Sequence, residues 1–173
     1  MNDYNFRYVS TDNYELSYTN KDGVRVCIPF TRTIGMAQKI QGIQASARIN
    51  MYKELTAQGI TKNDLVIKRT NADGSITYDE TNYNEYENSY IKVYTALTLN
   101  EIVKDCFKKD VAELLTDMGI NPNSTNPVDL KKVELFTTKF AKIISGKDEE
   151  EQKPSSEHQE PVSTVQTTQS NNI

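Results

Sequence analysis

Tryptophan is absent from this 173-residue chain, and histidine occurs once, at His158, in a stretch whose composition cannot hold it against a scaffold. Histidine-based acid–base, nucleophilic or metal chemistry therefore has no placed group to work with. Cysteine is nearly absent as well. Cys27 and Cys106 lie far apart with no CxxC spacing and no Cys/His cluster, and their apolar neighbours predict buried free thiols in a reducing compartment. Apolar runs approaching the ~20 residues of a membrane span are missing, and the opening MNDYNFRYVSTDNY lacks the charged-then-apolar plan of a secretory leader. Neither GxGxxG nor GxxxxGK[ST] occurs; Gly146-Lys147 has no glycine loop before it and no helix after it. The carboxylate pair Asp79-Glu80 and the run Asp148 to Glu151 read as solvated charge. These absences argue against an enzyme and imply no cofactor and no metal.

The last 27 residues, from Lys147 to Ile173, contain no Leu, Phe, Tyr, Met or Ala. Such a segment cannot bury enough apolar surface to offset its chain entropy, so a disordered acidic tail is expected over 147–173, following a globular body over 1–146. Removing the tail's two Lys and six Asp or Glu from totals of 20 and 24 leaves the body with 18 charges of each sign. A neutral body lacks the basic face that gripping phosphate backbones requires, which argues against nucleic acid as the main partner.

What is present reads as α+β. Alternation at Tyr14, Leu16, Tyr18 and at Val24, Val26, Ile28 flanks Asn20 to Gly23, and Leu65, Ile67 and Ile76, Tyr78 flank Asn71 to Gly74. Each Asp-Gly pair supplies the positive φ of a tight turn, so two β-hairpins are predicted, forming one small antiparallel sheet. Between them, Ile34, Ala37, Ile40, Ala47, Met51 and Leu55 recur at helical steps up to Gly59, predicting one long helix. Its Gly35, Gly42, Ala45 and Ala47 suit either close packing on the sheet or a contact between subunits of a homo-oligomer. Three more helices are expected, for about four in all. Asn82 with Glu85 caps a segment through Leu97, and Thr98 with Glu101 caps another running to Gly119. Asn126-Pro127 opens the last, which ends at Gly146.

Ten tyrosines stand out, four of them at helical spacing: Tyr83, Tyr86, Tyr90 and Tyr94. Three readings compete for this stripe. Core packing with hydroxyls reaching water comes first, a partner-protein surface second, and a stacking platform for single-stranded nucleic acid last. The acidic neighbours Asp79, Glu80, Glu85 and Glu87 repel phosphate and place the third behind the others.

In plan, the hairpin segment YELSYTNKDGVRVCIPFTRTIGMAQKI, the helical segments LNEIVKDCFKKDVAELL and LFTTKFAKIISG, and the polar acidic end resemble the tail assembly chaperones of long-tailed bacteriophages. The resemblance spans residues 14 to 173. It implies a protein without catalysis that coats the helical tape measure protein in the host cytoplasm before the tail tube polymerises. It also implies a short form and a frameshifted long form sharing one body. The alternatives are a structural subunit of the virion, in the tail or the head-tail joint, and a small nucleic-acid-binding protein.

Overall fold

The computed structural model describes residues 4–147, and the fold is α+β. The expected tail lies outside the described residues from 148 onward, and His158 with it. Strands β1 (Tyr4–Ser10), β2 (Asn13–Thr19) and β3 (Arg25–Thr31) form an antiparallel sheet in that order. Registers Phe6↔Leu16 and Leu16↔Ile28 put Phe6, Leu16 and Ile28 in one row across it. The period-two alternation turns Tyr14, Leu16, Tyr18 and Phe30 inward, where all four are buried. The same alternation corrects the expectation for Cys27. It is out of phase with Val26 and Ile28, pairs with Ser17 on the outer face, and is exposed.

β1 was not anticipated, although Tyr4, Phe6 and Tyr8 alternate as a strand should. Its turn into β2 carries no glycine; Asp12 itself takes the left-handed conformation at φ 63°. The β2–β3 turn follows the expectation: Asn20 N–H donates to Val24 O, Gly23 N–H to Asn20 O, and Gly23 sits at φ 79°.

The predicted long helix is two helices. α1 (Ile34–Gln41), capped by Thr33, and α2 (Ile43–Ala57) meet at a bend at Gly42. Gly42 N–H still reaches Gln38 O, and Gly42 O still accepts from Ser46 N–H, so the chain is bent there rather than broken. After the single turn α3 (Lys62–Leu65) comes the second hairpin, β4 (Ile67–Thr70) and β5 (Ile76–Asp79). It forms a separate two-stranded sheet, a correction to the single sheet expected. The fifteen residues of α2 advance the chain about 22 Å along the helix axis. Leu65 and Val66 then tie the base of β4 into a second cluster at the far end.

α4 (Thr81–Phe107) runs unbroken through Thr98, where a new helix was expected. Its start also differs: Glu80 is the N-cap, and Asp79 Oδ1 accepts from the Thr81 N–H and hydroxyl. The break falls instead at Lys108, in the left-handed region at φ 58°. There a reciprocal cap between Asp110 and Glu113 starts α5 (Val111–Asp117). α6 (Pro127–Ser145) begins as expected, with Asn126 Oδ1 accepting from Val128 N–H and Pro127 at the first position, and ends at Gly146 with φ 81°.

Two cores result. The larger joins the sheet to the C-terminal third of α4, α5 and α6, and it contains all five phenylalanines of the chain. The smaller holds Met51, Leu55 and Tyr83, with Ile60, Leu65, Val66, Tyr86 and Tyr90 packed on it. Thus α2 and the N-terminal part of α4 make a two-helix arm, with the second hairpin at its far end.

One polar contact fixes β2 against α5. The Tyr18 hydroxyl donates to Asp117 Oδ2 at 2.6 Å, and Lys109 Nζ donates to the same oxygen at 3.0 Å. The Tyr18 hydrogen bond, then Lys109, hold the Asp117 carboxyl below the usual carboxylate range, while burial first and Asp117 second push the Tyr18 phenol above the tyrosine range. The signs follow by linkage. A lowered folded pKa gives stability that is present above the unfolded Asp value near 3.9 and lost as pH falls through the folded one. A raised one gives stability present below the unfolded Tyr value near 10 and lost as pH rises. Asp117→Asn should therefore cost about 1–2 kcal/mol at pH 7 and flatten the acid limb of a urea-midpoint profile below about pH 4. An acid limb identical to wild type would show that this contact contributes nothing.

Candidate functional site

Cys106 is half-buried, and burial, with Asp105 adding to it, pushes its thiol up to about 11, so the thiolate is scarce at neutral pH. Among the described residues no group of three or more His, Cys, Asp or Glu could hold a metal ion. No helix among them is long and apolar enough to cross a membrane.

The tyrosine stripe divides. Tyr83 is buried in the smaller core, its hydroxyl 2.7 Å from that of Tyr52 and its ring 4.5 Å below Lys62 Nζ. Burial, then the hydrogen bonds to Tyr52 and Glu87, hold its phenol well above the ordinary range. Arg48 Nε donates to Glu87 at 2.8 Å on the same flank, completing a polar lacing of α2 to α4. Tyr86 and Tyr90 are half-buried, their ring centroids 5.3 Å apart, and pack on the smaller core. Tyr94, also half-buried, lines a cavity.

That cavity is an open groove of about 660 Å³ between the α1–α2 bend and α4. On one wall stand Gly35, Gly42, Ser46 and Asn50; on the other, Tyr94, Leu97 and Thr98. The small residues form the groove because they leave their side of it unfilled. Gly35 and Gly42 carry no side chain; a Cβ at Gly35 would meet only Thr33 Oγ1, at 3.8 Å, whereas one at Gly42 would stand 3.3 Å from the Gln38 carbonyl oxygen. The two other small residues of that segment separate from them: Ala47 is buried against α4 and Ala45 is exposed. Lys39 and Glu101 bridge the groove's end at 3.4 Å, an exposed pair worth at most about 1 kcal/mol.

Exposed apolar side chains stand on the α4 side of this opening. Leu97 is 58% exposed, and Val93, one turn earlier on the same side of α4, is 56% exposed. Ile34, at the first turn of α1, is more exposed still, but it lines a separate cavity with Arg32, Ala37 and Ile144. Leu97 and the bend at Gly42 escaped the sequence reading. Leu97 stood out only as the end of the stripe, and the glycine marks a bend only once α1 is known to pack on the body. Chemically the groove offers apolar surface with hydrogen-bonding polar groups and a balanced ion pair at its end, which suits the side of a helix. No family model, curated protein or solved structure matches the chain.

Proposed function

We propose that this chain is a tail assembly chaperone of a long-tailed bacteriophage, acting without catalysis in the host cytoplasm. It holds an amphipathic helical segment of the tape measure protein in the groove between the α1–α2 bend and α4. The observation that carries the reading is the groove itself, open and lined by Gly35, Gly42, Ser46 and Leu97, with Val93 exposed one turn before Leu97 on α4. Helix-in-groove recognition asks for an apolar trough with small residues on one wall, so that a helix can approach closely, and for large apolar anchors on the other. The plan-level resemblance of the chain to that chaperone family supplies the client. Of the four tyrosines, Tyr94 takes the contact role in this reading, while Tyr83, Tyr86 and Tyr90 hold the arm together.

Co-expression with the tape measure protein of the same genome tests this. The two should co-purify, and the tape measure protein should stay soluble. Leu97→Asp combined with Val93→Asp, both at exposed positions, should weaken capture at least tenfold, since each places a charge where apolar surface is covered. The thermal midpoint should move by no more than about 2–4 °C, as two surface changes of this kind, each within about 0.5 kcal/mol, sum to about 1 kcal/mol. A tape measure protein equally insoluble with and without the chain would sink the reading. Stoichiometric amounts of the chain in purified virions would move it to the structural class.

A further inference from the structure

The second hairpin, β4–β5, lies at the far end of the arm, and all of its residues are exposed except the half-buried Asp79. Ile67, Ile76 and Tyr78 show 46%, 47% and 64% of their surface. A two-stranded sheet with no covered face is marginal in water. Its two edges also differ from each other and from those of the first sheet. Edge strands are ordinarily guarded against pairing by charge, proline or a bulge. In the first sheet β3 carries Pro29, and β1 carries Arg7 and an irregularity between Tyr8 and Ser10. In the second, β4 carries Lys68 and Arg69, whereas β5 reads Ile76-Thr77-Tyr78-Asp79, with no basic residue, no proline and no bulge.

The ladder fixes which groups β5 offers. Asn71 N–H donates to Ser75 O at 2.8 Å, so the alternation of an antiparallel pair directs Thr77 at β4 and turns the N–H and C=O of Ile76 and Tyr78 outward. We propose that β5 is a self-association edge, pairing antiparallel with β5 of a second copy about a two-fold axis at Thr77, so that two hairpins close into one four-stranded sheet. In this register Ile76 exchanges both backbone hydrogen bonds with Tyr78 of the second copy, and the two Thr77 side chains face each other. These are β-branched–aromatic and Thr–Thr cross-strand pairs, both favourable, and they join Ile76 and Tyr78 of both copies into one apolar row. β4 cannot serve in the same way. Centring it on Lys68, on Arg69 or between them sets like charges directly opposite. A β4-to-β5 contact between copies would not close on itself and would propagate. The second copy through β5 is thus the occupant that the side chains fit, independently of any client in the groove.

An interface of one short strand belongs to the weak class, so the dimer is expected at about 0.1–1 mM chain. Sedimentation equilibrium of the full chain over about 10 µM to 1 mM reads it. Thr77→Glu keeps an attractive neighbour within its own hairpin, since Arg69 lies opposite, but sets two carboxylates face to face at the axis. It should weaken dimerisation at least tenfold, with unchanged circular dichroism. Thr77→Val, neutral and β-branched, should leave it within twofold of wild type. With Cys27→Ser removing the exposed thiol, Thr77→Cys should give a covalent dimer under mild oxidation, and Lys68→Cys should not. A wild-type chain that stays monomeric at 1 mM overturns the proposal. So does a dimer that Thr77→Glu leaves intact, because it would be formed by another surface.

Discussion

Replacing Phe140 with alanine should cost about 3–5 kcal/mol of folding stability, enough to leave a large part of the chain unfolded near 37 °C. The expectation rests on where the ring sits. Phe140 is almost completely buried on α6, and its centroid lies 5.6 to 6.3 Å from those of Phe6, Phe30, Phe107 and Phe136. Those four belong to β1, β3, α4 and α6, so one side chain joins the sheet to two of the helices of the larger core. Its removal opens a cavity whose walls are other rings, and rings held edge-to-face or stacked cannot all move inward together. Urea unfolding followed by circular dichroism measures the loss. A decrease below about 1.5 kcal/mol would show that the cluster collapses around the gap and that α6 is a less central element than its burial implies.

The second large effect is expected at Arg32. Its guanidinium, 11% exposed, donates from Nε and Nη2 to Asp12 Oδ1 and from Nη1 to Ile143 O at 3.3 Å, while its backbone N–H bonds Asp12 O. One side chain therefore holds the β1–β2 turn, the end of β3 and the Ile143 carbonyl near the C-terminus of α6. A cation there also faces the negative end of the α6 dipole. Arg32→Ala leaves Ile143 O without this donor and Asp12, in its left-handed turn, without its partner. About 2–4 kcal/mol should be lost, the lower part of that range reflecting the half-exposed Asp12. Arg32→Lys keeps the charge but not the planar fork, and should recover less than half of the loss. If Arg32→Lys is as stable as wild type, charge alone holds the junction and the geometry of the fork is immaterial.

Much of the fold is written in local signals. The two Asn-x-Asp-Gly turns and the Asn126-Pro127 start of α6 each rest on a residue whose backbone preference is strong enough to act alone. The errors share another cause. Thr98 and Glu101 have the spacing of a capping box, but a cap needs a non-helical residue, and the packing of Leu99, Ile102 and Val103 keeps α4 helical through them. The Asp110–Glu113 box, equally visible in the sequence, is the one that starts a helix, because Lys108 has already left the helical region. β1 alternates clearly, yet its only turn signal is an Asp at positive φ. The candidate site was half legible. Periodicity puts the tyrosines on one side of a helix, but which are covered depends on where α2 crosses them, and the groove depends on a bend at Gly42 that only tertiary packing defines.

α4 is a single rod of about 40 Å shared by two cores of very different size. Its last turns are gripped by the sheet and α6, and its first turns by the smaller cluster around Met51, Leu55 and Tyr83 and by the Arg48–Glu87 pair. Opening is therefore directional. The arm can fray from the Thr81 end and re-form on a template that never left the body, while loss of the body removes the support on which the arm is built. A protein arranged in this way can loosen its outer end, at modest cost in free energy, without losing its fold, and the groove lies where the loose and the fixed parts of that rod meet.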